Sequence, residues 1–134
     1  MSQENVRIAR KSIETLSEGD IDAFVALLHP DVEWDDSNGF PDVRGIYRGR
    51  AQVRSWWERF WEAWESFHPE FEEVTEGADG RVVLQVLGTA RGRASGAEAG
   101  LRGWFVVQVA DGMITKRQLF WNRAEALEAA GLSE

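Results

Sequence analysis

Asp36 is the residue of this sequence whose surroundings most favour acid–base chemistry. It ends a short predicted strand and shares one strand face with Trp34, because successive side chains of a strand point to opposite faces. A carboxylate at the mouth of a tryptophan-walled cavity loses solvation, which makes it a stronger base near neutral pH. We therefore predict Asp36 as a general base. The alternative is a solvated loop aspartate, because a polar, glycine-containing stretch follows at 37–39.

Arg117 is the second candidate for chemistry. It falls within a predicted strand among apolar residues, where a cation needs a carboxylate partner or an anionic ligand. Three interpretations stay open. Arg117 pairs with Asp36, it contacts an anionic group of a ligand, or its side chain extends to the rim and the guanidinium reaches water.

The sequence predicts no metal site and no cofactor. His29 and His68 each precede a proline, one at a helix end and the other at a strand start, and neither is predicted to be catalytic. No pair of histidines or carboxylates has the spacing of metal ligands on a predicted inner face. No glycine pattern between a strand and a helix is typical of a phosphate-binding loop.

The composition indicates a cavity and limits the partners. Seven tryptophans and seven phenylalanines among 134 residues are more aromatic surface than a small core needs, so part of it is expected to face a pocket. The formal net charge of −8 repels phosphate backbones and excludes nucleic acid as a partner. The sequence has no cysteine, and its start has no apolar run typical of a signal peptide or a membrane span. We therefore expect a cytoplasmic protein that does not bind membranes.

Apolar periodicity predicts three helices in the first half of the chain. They cover residues 5–17, a segment that begins after Asp20 and is closed by Pro30, and residues 50–67. A strand is predicted at 32–36 and a loop at 37–49. The third helix places seven large apolar residues within about 140° of its circumference, so that face must be covered.

Strands dominate the second half of the chain. Asp-Gly pairs at 79–80 and 111–112 predict hairpin turns between strands at 67–75, 81–93, 101–110 and 113–121. A final short helix is predicted after Asn122, whose side chain is placed to cap it together with Glu125. Helices followed by an antiparallel meander indicate a single α+β domain over residues 1–134.

The second hairpin allows the strand faces to be predicted. A two-residue turn at 111–112 places Trp104 opposite Leu119, Val106 opposite Arg117, and Arg102 opposite Trp121. These residues share one sheet face, and the other face is also apolar. A sheet that is apolar on both faces predicts a homodimer that covers the second face. A β-bulge would change this register.

Four strings of residues, together with the order of elements, resemble the nuclear transport factor 2-like superfamily and its SnoaL-like group. The strings are Ser-Glu-Gly-Asp at 17–20, Leu-His-Pro-Asp-Val-Glu-Trp at 28–34, Arg-Gly-Arg-Ala-Ser-Gly at 91–96 and Asn-Arg-Ala-Glu-Ala-Leu at 122–127. The resemblance implies a cone in which a curved antiparallel sheet wraps the long third helix and leaves a pocket at the wide end. Members include ketosteroid isomerases, limonene epoxide hydrolases, polyketide cyclases and proteins that only bind or dimerise.

The resemblance to the isomerases carries over one catalytic position. Their general base on the first strand falls on Asp36. Their two oxyanion donors fall near Ser12 and Trp104, which do not match. The resemblance therefore implies a base without the donors that the isomerase mechanism uses.

The resemblance to the epoxide hydrolases carries over no triad. Their catalytic positions fall on Trp34, Asp36 and Leu119, and the residue types differ. In both families the pocket-facing positions of the last strand match Arg117, Leu119 and Trp121. This match selects the face shared by those three residues as the inner one.

These predictions combine into two hypotheses about function. The predicted ligand-binding residues are Trp34, Trp57, Phe60, Trp104, Val106, Leu119 and Trp121. Aromatic walls favour a small, flat, ring-containing apolar ligand. The first hypothesis is a cofactor-independent isomerase, cyclase or hydrolase with Asp36 as general base and Arg117 neutralising an oxyanion. The second is a non-catalytic binding or dimerisation module whose pocket is filled by its own side chains.

Overall fold

Four helices and six strands form within residues 2–132, the part of the chain that this computed structural model describes. The helices are α1 (Ser2–Glu18), α2 (Ile21–Ala26), α3 (Gly49–Ala63) and α4 (Arg123–Ala129). The strands are β1 (Leu28–Asp36), β2 (Gly45–Arg48), β3 (Trp64–Glu76), β4 (Arg81–Gly92), β5 (Glu98–Ala110) and β6 (Met113–Phe120). The predicted α+β class is confirmed.

The six strands form one curled, unclosed sheet in the order β2-β1-β6-β5-β4-β3. The antiparallel meander is confirmed for β3 to β6, but β1 runs parallel to β6, so the sheet is mixed. Its inner face packs against α1, α2 and α3 around one large apolar core. From α1, Ala9, Ile13 and Leu16 reach this core at spacings of four and three residues, as one face of a helix requires.

The two predicted helix caps are present. The Asp20 side chain accepts a hydrogen bond from the Ala23 amide at 3.1 Å at the start of α2. Asn122 accepts one from the Glu125 amide at 3.1 Å at the start of α4. These short polar side chains satisfy amides that have no partner inside the helix.

The third helix ends earlier than predicted, at Ala63. Trp64 already has extended backbone angles (φ −117°, ψ 135°), and the chain continues directly into β3. The Arg93 guanidinium donates to the carbonyl of Trp61 in the last turn of α3 and to that of Trp64 at the start of β3, and the Arg93 amide donates to the carbonyl of Ala63. Trp64 and Phe67 still pack against the core from β3, so the aromatic pattern continues through the boundary without a break.

The range 37–49, predicted as a loop, contains β2. This strand is four residues long, pairs with the end of β1 and buries Tyr47. Strand β1 begins at Leu28, earlier than the predicted residue 32, and it therefore contains Pro30. The register with β6 shifts between Leu28 and Glu33, which accommodates a residue that has no N–H to donate. The second helix accordingly ends at Ala26, before Pro30.

Both Asp-Gly pairs form the predicted hairpin turns. The φ angles are 56° and 77° at Asp79 and Gly80, and 54° and 76° at Asp111 and Gly112. Two consecutive positive φ angles are what a two-residue hairpin loop of the type I′ class requires.

A β-bulge shifts the register beyond the second turn. Val109 pairs with Ile114, but Gln108 pairs with Lys116, so Thr115 is an extra residue on β6. Every pair farther from the turn is displaced by one residue from the predicted register.

Because of this displacement, two predicted site residues lie on the sheet face opposite to the predicted one. Phe105 pairs with Leu119, and Val107 pairs with Arg117, in place of the predicted partners Trp104 and Val106. Because paired residues share a face, Trp104 and Val106 lie on the outer face of the sheet. Their predicted place on the inner face is wrong. The predicted pair of Arg102 and Trp121 is also absent from the observed register.

The outer face of the sheet is partly covered by α4. Val83 and Val106 pack with Ala126, Leu127 and Ala130 in a second buried cluster. The helix therefore accounts for part of the apolar outer surface from which the homodimer was predicted. The homodimer itself stays a prediction.

We expect Leu127→Ala to lower the free energy of unfolding by about 2–5 kcal/mol, because it opens a cavity between α4 and the sheet. Leu127 does not line the inner cavity described below, so ligand binding there should be unchanged at temperatures where the variant is folded. Urea denaturation followed by tryptophan fluorescence measures the first effect. A loss below about 1 kcal/mol would show that α4 contributes little to the fold.

Candidate functional site

Asp36 is the last residue of β1, and only 2% of it is exposed. Its Oδ1 accepts a hydrogen bond from Arg117 Nη1, and its Oδ2 accepts one from Trp56 Nε1 at 3.1 Å. The following loop folds back over it, because the Gly39 amide donates to the Asp36 carbonyl at 2.8 Å. A β-carbon on Gly39 would lie 2.3 Å from Asp36 Oδ2, so a larger residue does not fit. The alternative of a solvated loop aspartate is therefore wrong.

Arg117 is buried as well, with 4% of it exposed. Its guanidinium carbon lies 4.7 Å from the ring centroids of Trp34 and Phe105 and 5.4 Å from that of Trp56. A guanidinium is weakly hydrated and stacks on aromatic rings, which suits it to this enclosure better than an ammonium group. The interpretation in which Arg117 extends to water is wrong, and the pairing with Asp36 is observed.

The single parallel strand pair brings the two charges together. Trp34 on β1 is the register partner of Arg117 on β6, and Asp36 follows Trp34 by two residues on the same face. Trp56 reaches the same point from α3. The ion pair thereby joins residues that are 81 positions apart in the sequence.

The neighbouring carboxylate, Asp35, has a different environment. Burial raises the pKa of Asp35, but hydrogen bonds from the Ser37 hydroxyl and amide, with Gln118 and the charge of Lys116, outweigh burial and hold this pKa below its usual value. Its register partner is Gln118, on the face opposite to Asp36. Asp35 is therefore a matched control for substitutions of Asp36.

A cavity lies beside the ion pair, between the helices and the inner face of the sheet. It leaves about 90 Å³ for the centres of water-sized molecules, several times the roughly 10–15 Å³ that one water needs. The side chains therefore do not fill the cone, which the sequence left open. Six of the nine predicted site residues line the cavity: Trp34, Asp36, Phe60, Arg117, Leu119 and Trp121.

The other three predicted residues do not line the cavity. Trp104 and Val106 are on the outer face because of the bulge in β6, and the Trp104 indole donates to Gln85. Trp57 turns toward α2, where its ring lies 4.8 Å from that of Phe24. The apolar stripe on α3 was too wide to separate residues that face the sheet from residues that face α2. These three assignments are corrected.

Five aromatic residues that the sequence reasoning missed also line the cavity: Phe40, Trp56, Trp64, Phe67 and Phe105. A register with the bulge would have placed Phe105 on the inner face. Trp56, Trp64 and Phe67 lie in the apolar stripe predicted for the third helix, which does not separate core residues from cavity residues, and no pattern marks Phe40 within its loop. Gly39, which covers Asp36, was a visible signal, since a glycine three residues after a candidate base permits a close backbone approach.

The polarity of the cavity changes along its length. Asp36 and Arg117 are the charged residues in its wall. Away from them, β4 and β5 present inward-facing pairs with small members: Val86 with Gly103, Gly88 with Leu101, and Ala90 with Ala99. The cavity is therefore charged at one point and mainly apolar elsewhere, and the hydroxyl of Ser12, which also lines it, donates to the Ala9 carbonyl of its own helix.

Exposed aromatic and aliphatic residues mark the opening of the cavity. Leu101 is 45% exposed and Trp121 is 42% exposed, although both contribute to the wall. The Phe40 ring lies 5.8 Å from that of Trp64 and 5.7 Å from that of Trp121. The Trp121 indole donates to the Asn38 carbonyl and so ties the 37–44 loop to the end of β6. The ion pair lies in the buried part of the cavity wall.

Residues 2–132 contain neither a cluster of metal-ligating side chains nor a helix able to span a membrane. No group of three or more histidine, aspartate, glutamate or cysteine side chains is arranged to hold a metal ion. No helix in this part of the chain combines the length and the apolar character that crossing a membrane requires.

Comparison with known proteins identifies the family and the fold of this chain. The family model of the SnoaL-like domain matches residues 9–117. A nuclear transport factor 2-like protein of unknown function from Burkholderia pseudomallei superposes with a TM-score of 0.78 at 20% identity, over 97% of this chain and 98% of that chain. A comparison with curated proteins found no match.

Two other solved structures are similar to this chain. A protein proposed to be a polyketide cyclase, from Xanthomonas campestris, has a TM-score of 0.78 at 24% identity, over 92% of this chain and 94% of that chain. A hypothetical protein with a ketosteroid isomerase-like fold, from Catenulispora acidiphila in complex with trimethylamine, has a TM-score of 0.74 at 16% identity, over 93% and 92%. At these identities the likeness shows the nuclear transport factor 2-like fold and no particular activity.

We expect Arg117→Met to lower the free energy of unfolding by about 3–5 kcal/mol, because it leaves Asp36 buried without its counter-charge. The double variant Asp36→Asn/Arg117→Met removes both charges and keeps an acceptor for Trp56, so it should be more stable than Arg117→Met alone. Urea denaturation of both variants, with Asp35→Asn as the control, measures the difference. Equal losses in the single and double variants would contradict an electrostatic origin.

Proposed function

Because this chain belongs to the SnoaL-like domain family, we propose that it binds a small, ring-containing, mainly apolar molecule and that Asp36 acts on it as a general base. One observation carries the proposal. A buried aspartate and a buried arginine are the charged residues of a cavity that is otherwise mainly apolar and is not filled by side chains. Such a combination of an apolar pocket and a few convergent polar groups is typical of small-molecule sites.

The walls favour a flat ligand. Trp34, Phe60 and Phe105 line the cavity near the ion pair, and aromatic rings bind other rings through apolar contact and stacking. The opening between Leu101 and Trp121 gives an apolar molecule a route in that needs no charged contact. A sugar or nucleotide would leave most of its hydrogen-bonding groups unpaired in this cavity.

The ion pair supports proton transfer next to a carbonyl group. The Asp36 carboxylate takes a proton from the α-carbon, the C–H electron pair forms a C=C bond, and the carbonyl π pair moves onto the oxygen. The resulting enolate is stabilised by the adjacent guanidinium of Arg117. In a β,γ-unsaturated ketone the enolate is a dienolate, and return of the proton from Asp36 to the γ-carbon completes an isomerisation. In a ring closure the enolate carbon attacks a second carbonyl of the same molecule, the π pair of that carbonyl moves onto its oxygen, and this oxygen takes the proton back from Asp36. Each step balances without an external cofactor.

Both oxygens of Asp36 already accept a hydrogen bond, and this observation also favours a second candidate function, ligand binding without catalysis. Each carboxylate oxygen has a further lone pair, so Asp36 keeps the capacity to accept a proton. The same contacts also suit a purely positional role. In that case the protein is a non-catalytic binding module, and the ion pair only orients a polar group of the ligand.

Proton exchange in deuterated water separates the two functions. We expect the wild type to catalyse deuterium uptake at the α-carbon of enolisable ring ketones such as 1-indanone and 2-tetralone, measured by NMR. Asp36→Asn should lose at least about 100-fold in the exchange rate, since a positioned general base contributes roughly 10²–10⁴-fold. Asp35→Asn, the matched control on the other strand face, should keep the wild-type rate.

The outcome that contradicts the catalytic proposal is equally clear. Ketones that bind to the wild type without exchange above the buffer rate, and with equal affinity for Asp36→Asn, would identify a binding module. Loss of exchange in both aspartate variants would indicate a general effect on the fold rather than removal of the base.

A further inference from the structure

The indole N–H of Trp34 is buried and has no hydrogen-bond acceptor among the described residues. Trp34 is 1% exposed, and its Nε1 is one of three buried side-chain nitrogens without a partner in residues 2–132. Another of the three is Nε of Arg117. Buried donors in folded proteins are nearly always hydrogen-bonded, so two such donors beside one cavity need an explanation.

Trp56 provides an internal contrast. Its ring lies 5.2 Å from that of Trp34, and both side chains line the cavity. The Trp56 indole donates to Asp36 Oδ2, whereas Asp36 Oδ1 is taken by Nη1 of Arg117. The nearby carboxylate is thus already engaged by other donors, and it serves neither Trp34 Nε1 nor Arg117 Nε.

The two unpartnered donors are close neighbours. Trp34 and Arg117 are register partners on β1 and β6, and the guanidinium carbon lies 4.7 Å from the Trp34 ring centroid. The guanidinium stacks on the face of the indole, so the N–H at the edge of the ring is not used by this contact. Both side chains belong to the wall of the same cavity.

We propose that Trp34 Nε1 and Arg117 Nε donate to one oxygen atom of the ligand. This inference rests on the proposed function, because it uses the same cavity. It adds the class of ligand, which is a molecule with a carbonyl or enol oxygen at the end that lies deepest in the cavity. Trp34 is then a specificity-determining residue that contacts the ligand oxygen. A neutral N–H and a cationic N–H together bind a carbonyl and bind its enolate more strongly.

The rest of the cavity fits a ligand held in this orientation. From Phe105 to Ala99 the inner side of β5 spans six residues, about 20 Å at the usual strand rise. Gly103 and Ala99 on β5, with Gly88 and Ala90 on β4, have small or absent side chains along this path. The apolar part of the ligand therefore extends from the ion pair toward the opening, and the oxygen lies at the buried end.

A matched pair of probes tests this inference. 1-Indanone and indane have the same ring system, but only 1-indanone has the carbonyl oxygen. We expect the wild type to bind 1-indanone at least about tenfold more tightly than indane, as measured by fluorescence titration. Trp34→Phe removes the N–H and keeps an aromatic ring, and it should reduce this preference by about 3- to 10-fold, the loss of one hydrogen bond. Trp57→Phe, on α3 but outside the cavity wall, should leave the preference unchanged.

Indole NMR of the wild type tests the same contact without a substitution. Addition of 1-indanone should shift the Trp34 ¹⁵N–¹H indole resonance downfield, and indane should not. The Trp56 resonance, whose N–H already donates to Asp36, should move less. No preference for 1-indanone over indane in the wild type, or an unchanged Trp34 resonance with 1-indanone bound, would overturn the inference.

Failure of the inference and failure of the proposed catalysis give different results. A preference for 1-indanone that depends on Trp34, without deuterium exchange in the wild type, supports the oxygen contact and removes the general base. Exchange that depends on Asp36, with equal ketone preference in the wild type and Trp34→Phe, overturns the Trp34 contact and keeps the base.

Discussion

The ion pair between Asp36 and Arg117 is the interaction on which the site depends. Taking two charges out of water costs free energy that their attraction repays only with good geometry and further hydrogen bonds. Here the compensation comes from separate elements. Trp56 on α3 donates to the carboxylate, Gly39 brings the loop over it, and the rings of Trp34 and Phe105 enclose the guanidinium. The parallel pairing of β1 with β6 therefore determines the chemistry of the cavity as well as the order of the sheet.

Local signals in the sequence were sufficient to predict most of the fold. The caps at Asp20 and Asn122 and the two Asp-Gly turns act over a few residues, and all four are present. The boundary between α3 and β3 was missed because aromatic residues face the core on both sides of it. Strand β2 was missed because four residues are too few for a pattern to stand out from a loop. Both errors concern places where tertiary contacts determine the local structure.

The candidate site was harder to predict because a strand face depends on register. Asp36 and Arg117 were identified from residue type and resemblance, and their pairing was one of several open interpretations. The assignments of Trp104 and Val106 depended on a regular ladder from residue 110 to residue 121, and one extra residue, Thr115, reversed them. A bulge leaves no reliable mark in one sequence. The error at Trp57 has a different cause, since one helix packs against both the sheet and α2, and an apolar stripe does not distinguish the two surfaces.

The charged pair in this cavity is better explained by a role in binding or catalysis than by a contribution to the stability of the fold. A buried ion pair replaced by well-packed apolar residues is often as stable or more stable, so the fold has no strong need of these charges. The same wall holds two further buried donors without partners, at Trp34 and Arg117. In an enclosure of low polarity, fixed charges and dipoles act on a bound molecule more strongly than they do in water. A cavity that keeps an ion pair, leaves donors unused and remains unfilled therefore has the properties of a site prepared for a polar group on an apolar ligand.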